Sequence, residues 1–114
     1  MSEIHGDLLR GHLETMILSV LARSEAHGLE VLRRLEEAGC GLLRLKEGSL
    51  YPALYRLEAA GKIKAEWEAA DHGRRGARRC NYRLTTKGKR QLEQGRAEWT
   101  QFVQVVGAIV GAPA

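Results

Sequence analysis

Between Ala60 and Thr86 the apolar residues of this 114-residue chain change their period twice. Upstream they recur at three- and four-residue spacing. Inside the window they alternate, and downstream the helical spacing returns. A period near 3.6 buries one stripe of a helix, and a period of two buries one face of a strand. The chain must therefore fold as helices, then a small sheet, then a helix.

In the alternating window Ile63, Ala65 and Trp67 share one face, with Lys64, Glu66 and Glu68 on the other. Cys80, Tyr82 and Leu84 alternate in the same way with Arg79, Asn81 and Arg83. The two runs flank "AADHGRRGAR" and read as a β-hairpin with a long, basic, glycine-containing tip.

Ahead of the hairpin, Leu8, Leu9, Leu13, Met16, Ile17, Val20 and Leu21 mark a first helix from Leu8 to Ala22, with Asp7 as its N-cap. A second runs from Gly28 to Ala38 with Leu29, Leu32 and Leu35 inward, and Gly39 and Gly41 offer left-handed backbone to end it. "LLRL" is short enough to be extended. A third helix runs from Glu47 to Ala60. After the hairpin, Thr85 or Thr86 caps a last helix to Val110, with a stripe of Leu92, Trp99, Phe102, Val103, Val106, Ile109 and Val110. At about 1.5 Å per residue it is about 37 Å long, longer than a core of three short helices can cover.

This order predicts a mainly α fold with a small β-hairpin: a winged helix-turn-helix over residues 1–85, followed by one long helix over 86–114. In that arrangement the third helix commonly enters the DNA major groove. The charge supports a polyanionic partner. Residues 72–90 hold eight Lys or Arg and no Asp or Glu, while residues 1–71 hold nine against twelve. A local excess of this kind draws phosphates and releases their counterions.

On the third helix Leu50, Leu54 and Leu57 form the core stripe, with Ala53 and Ala60 at its edge. Gly48, Ser49, Pro52, Tyr55, Arg56 and Ala59 lie opposite, and Tyr51 flanks them. Small residues permit close backbone approach, and Ser49, Tyr51, Tyr55 and Arg56 are donors to phosphate or base edges. Pro52, near the first turn, removes an N–H where early N–H groups lack helical partners anyway. The bland alternative is a surface helix with tyrosines laid over the core. In the hairpin, Arg74, Arg75, Arg78 and Arg79 at the tip and Lys62 and Lys64 at its first strand are the candidate phosphate contacts.

Other chemistries find little footing. His5, His12, His27 and His72 make no ligand spacing with Cys40 and Cys80, so no metal is expected. No phosphate-cradling loop, nucleophile elbow or carboxylate pair appears, so neither an enzyme nor a cofactor is expected. The two cysteines read as free thiols of a reducing cytoplasm. No secretion signal is visible, and "FVQVVGAIVGAPA" is too short and glycine-broken to span a membrane.

Three segments in order, "HGLEVLRRLEE", "LKEGSLYPALYRLEAAGKIKAEWE" and "GRRGARRCNYRLTTKGKRQLE", resemble the PadR-like transcriptional regulators. The resemblance covers Leu8 to Trp99 and is most specific in "EGSLYPALYRLEAAG" followed by "YRLTTKG". It implies a homodimeric protein that binds operator DNA, usually as a repressor; two-fold symmetry then leads us to expect an inverted-repeat operator. It also implies a dimer built from the first and last helices, here Leu9, Leu13, Met16, Leu92, Phe102, Val103, Val106 and Val110. Some short members with a single C-terminal helix bind planar aromatic molecules between paired tryptophans, a place that Trp99 would occupy. The tip "ADHGRRGARR" departs from the compact pattern common in the family. The alternatives are a winged-helix module that acts mainly as a multidrug or small-molecule sensor, or a protein–protein adaptor. An acidic or apolar tip would favour the adaptor, and this tip is basic.

Overall fold

A computed structural model describes residues 4–5, 11–68 and 80–111. The elements follow the order β1 (Ile4–His5), α1 (Leu13–Leu21), β2 (Ala26–His27), α2 (Gly28–Ala38), β3 (Leu43–Arg44), α3 (Glu47–Ala59), β4 (Ile63–Trp67), β5 (Cys80–Leu84) and α4 (Thr86–Val110). The fold is a winged helix-turn-helix with a long C-terminal helix.

The sheet is larger than a hairpin. β4 and β5 pair antiparallel from Ile63 opposite Leu84 to Trp67 opposite Cys80. β2 then adds to the other edge of β5, with Ala26 opposite Tyr82 and His27 opposite Asn81. A two-residue strand has no period of its own, so nothing in the apolar pattern announces it. β1 and β3 form a separate parallel pair, which gives "LLRL" its extended portion.

The core lies where α1, α2 and α3 meet the sheet. Ile17, Leu18, Val31, Leu50, Leu54, Leu57 and Ile63 are almost wholly enclosed, and Tyr82 and Leu92 close it from β5 and α4. Each such aliphatic side chain contributes on the order of 1.5–3 kcal/mol by leaving water.

Several expectations shift. α1 starts at Leu13, not Leu8, because Gly11 takes a left-handed φ of 91° that a continuous helix cannot contain. Asp7, Leu8 and Leu9 lie outside the described residues. In α2 the inward stripe is Gly28, Val31 and Leu35 with Leu32 half-buried; Leu29 is exposed. Leu29 sits about 200° around the helix from Val31, and packing chose the Val31 side. After α2 the left-handed residues are Cys40 and Gly41, while Gly39 has a negative φ. Trp67 shares a strand face with Ile63, yet it is exposed at the far end of β4.

α4 joins the domain through two close approaches. A Cβ on Gly88 would fall 2.0 Å from the Lys62 carbonyl oxygen, and one on Gly95 would fall 2.5 Å from Thr15 Oγ1 of α1. Thr85 fixes the start of the helix: its hydroxyl accepts from Gly88 N–H at 3.1 Å and donates to the Gly61 carbonyl at 2.7 Å. Beyond Gly95 the described part of α4 is largely exposed. The molecule measures 56 × 31 × 21 Å, with a radius of gyration of 15.9 Å. A compact chain of this length would have about 13 Å.

Candidate nucleic-acid interface

α3 turns Leu50, Ala53, Leu54 and Leu57 inward. Its outer surface then carries Gly48, Ser49, Pro52, Tyr55, Arg56 and Ala59, all exposed. Tyr55 is 65% exposed and is the one large ring on that surface. Ser49, Pro52, Tyr55 and Arg56 are thus together as the sequence suggests.

Tyr51 is not with them. Its ring is half-buried against the first turn of α2, so close that a Cβ on Gly28 would lie 2.6 Å from its hydroxyl oxygen. It flanks the core stripe, and the bare Gly28 backbone gives it room there. Burial raises the Tyr51 hydroxyl pKa, and the Glu47 carboxylate, Tyr55 and Cys80 push the same way. Tyr82 is raised for the same primary reason, its burial beside Cys80. Both phenols stay protonated at neutral pH.

Pro52 is the sixth residue of α3, in its second turn. At that depth its missing N–H would have returned to the Gly48 carbonyl. Gly48 is exposed on the same outer face, so that oxygen is solvated and remains an acceptor among donors.

Arg56 leaves α3 toward α1. Its Nε donates to Glu14 Oε2 at 3.2 Å across 42 residues of sequence. The two side chains are 59% and 42% exposed. Neither the partner nor the direction is legible from helical spacing, because Glu14 belongs to another element.

On β4, Lys64 is exposed opposite Arg83, and Arg83 Nε donates to Glu66 Oε1 at 3.0 Å. Lys62 lies just ahead of β4, and its N–H closes the C-terminal end of α3 on the Leu57 carbonyl. That end lies roughly 15 Å along the helix from Ser49. Lys62 thus stands where β4 begins, as the sequence suggests. Arg74, Arg75, Arg78 and Arg79 lie outside the described residues.

A family model described as the transcriptional regulator PadR-like family matches residues 17–94. The chain belongs to the PadR-like family of transcriptional regulators. Members of this family are DNA-binding transcriptional regulators. A transcriptional regulator of Mycobacterium tuberculosis is 34% identical over 97 residues, which span 85% of this chain and 84% of that protein. A transcriptional regulator from Clostridium thermocellum superposes with a TM-score of 0.82 at 31% identity, covering 92% of this chain and 99% of the other. A PadR family transcription regulator from Clostridium difficile gives 0.75 at 32% identity, with coverages of 89% and 100%.

In this PadR-like protein the second notable surface is the far half of α4. Trp99 and Phe102 are each 50% exposed and stack at 5.8 Å with 18° between ring planes. The His12 ring stands edge-on to both, at 5.3 and 5.6 Å. Val103, Val106 and Val110 continue the exposed stripe, joined by Val105 and Ile109. Leu13 and Met16 on α1 are half-buried and pack against the core. Leu92 departs from the expected dimer face: it is buried inside its own chain, where α4 still lies over the core. His12 was invisible to helical spacing because it precedes α1 and meets α4 only in the fold. Among the described residues no group of three or more His, Cys, Asp or Glu is placed to hold a metal ion. None of their helices is long and apolar enough to cross a membrane.

Proposed function

We propose that this protein is a homodimeric, sequence-specific repressor acting in the cytoplasm on double-stranded, inverted-repeat operator DNA. The observation that carries this reading is the outer face of α3. Ser49, Tyr55 and Arg56 stand exposed there around Pro52, with small residues that let backbone approach a base edge. Residues 1–85 form the DNA-binding part, with Lys64 and the tip arginines Arg74, Arg75, Arg78 and Arg79 on flanking phosphate. Residues 86–114 form the dimerisation helix. Two-fold symmetry requires two half-sites, spaced by about one helical turn. Bound over a promoter, such a dimer represses by occlusion.

Arg56→Ala tests the assignment in a gel shift, with thermal melting as the control for folding. Operator affinity falls by roughly five- to tenfold while the protein stays folded; unchanged affinity sinks the α3 reading. Removing tip arginines lowers the slope of affinity against salt by about one unit per lost phosphate contact.

A second reading, for a sensor function added to the first, is favoured by the stacked Trp99–Phe102 pair. Two half-exposed parallel rings offer a platform for a planar aromatic molecule, and a symmetry mate would complete a pocket. Titrating planar aromatic dyes should quench the fluorescence of Trp67→Phe, in which Trp99 is the remaining tryptophan, and leave that of Trp99→Leu, which reports Trp67, little changed. Indifference of the Trp99 signal to every dye counts against a sensor.

A further inference from the structure

The Arg56–Glu14 pair joins α3 to the first turn of α1. Among the described residues it links the charged side chain of the outer α3 face to another element, and its geometry is particular. Among the described residues Nε is the one Arg56 nitrogen that meets an acceptor. A guanidinium presents its donors as a rigid planar fork. Fixing Nε therefore also sets the plane in which the two outer nitrogens point. We propose that Glu14 is a positioning residue for operator binding: it holds Arg56 by Nε so that Nη1 and Nη2 face outward as a paired donor to DNA. This inference rests on the reading of α3 as the DNA-contacting helix.

Physical reasons favour positioning over competition. An arginine free in solution loses rotamer freedom when DNA captures it, and a contact made beforehand removes part of that loss. The guanidinium also stands between the Glu14 carboxylate and anything that reaches Nη1 and Nη2. The repulsion between that carboxylate and a phosphate is screened by the cation and by salt. As an exposed pair it adds little to folding stability, so its effect should appear in binding.

The test uses the full chain and a duplex that the native protein enriches from a random-sequence library. Affinity is read by fluorescence anisotropy over poly(dI-dC) competitor across a range of salt. Glu14→Ala weakens binding by about threefold to tenfold with the salt slope kept near native, since the arginine charge still reaches the DNA. Glu14→Gln, which retains an acceptor oxygen, loses less than about twofold. In an Arg56→Ala background, Glu14→Ala adds no further loss.

Tighter binding by Glu14→Ala overturns the proposal, because the carboxylate then competes with DNA. So does a loss of equal size in the Arg56→Ala background, because Glu14 then acts without Arg56. Native affinity in Glu14→Ala alongside a weakened Arg56→Ala removes this inference alone. Native affinity in Arg56→Ala removes the α3 reading with it.

Discussion

Tyr51 and Tyr55 are one helical turn apart on α3 and have opposite surroundings. Tyr55 stands in solvent, while Tyr51 fills the space above Gly28. Periodicity puts a residue on a side of a helix, but a flanking position can turn either way, and only the neighbouring helix decides. Cys80 shows the same dependence on neighbours. Burial raises the pKa of its thiol and the Glu58 charge adds to this, while a hydrogen bond with Tyr82 acts in the opposite sense. The thiolate is the reactive form, and a raised pKa lowers its share at a given pH. Cys40 is exposed. Iodoacetamide at pH 7.5 should therefore modify Cys40 well before Cys80, as peptide mass mapping over time will show; equal rates would contradict the half-buried placement of Cys80. Leu29 and Leu92 depart from their expected faces for a related reason. Both are apolar at helical spacing, yet one faces water and the other its own core, because the sequence does not state how a helix is rolled against its neighbours.

At the level of elements, the junction of α3, the sheet and α4 is the least forgiving place. Thr85 reaches back to the turn after α3 while capping α4, and Gly88 lies directly against the Lys62 carbonyl. A methyl group at Gly88 would overlap backbone, which cannot swing aside as a side-chain tip can. Gly88→Ala should cost about 1–3 kcal/mol in chemical denaturation, against any gain in helix propensity. A variant as stable as the native chain would mean that α4 does not enter at this angle. The elements themselves were largely legible. α2, β4, β5 and α4 have the bounds that their apolar periods and caps suggest, because each is long enough to repeat its pattern. β2 was not, since its two residues are defined by what they pair with. Pro52 was legible as a tolerated helix residue, and α3 begins at Glu47 as its apolar period suggests, which places Pro52 in the second turn.

The whole molecule is long for its mass because α4 outruns the core. The stripe from Trp99 to Val110 leaves seven large apolar side chains on one helix 37% to 78% exposed, a grouping of the kind that marks an interaction surface. A charge in its middle tests the proposed dimer: Val106→Glu should shift the chain to monomer in analytical ultracentrifugation and weaken operator binding at least tenfold, since each half-site would then be bound alone. A variant that remains dimeric would place the seam elsewhere. The domain end of the molecule is coupled more tightly than its element list suggests. His27 pairs with Asn81 on β5, and its Nδ1 accepts the Glu30 N–H at the start of α2. One residue is thus both an edge rung of the sheet and the cap of a helix in the helix-turn-helix. A hinge at the base of the hairpin would have to break that rung or uncap α2. The hairpin and the helix-turn-helix should therefore tilt as one lever, so that a bent operator is met by rotating each half of the dimer and not by flexing the wing.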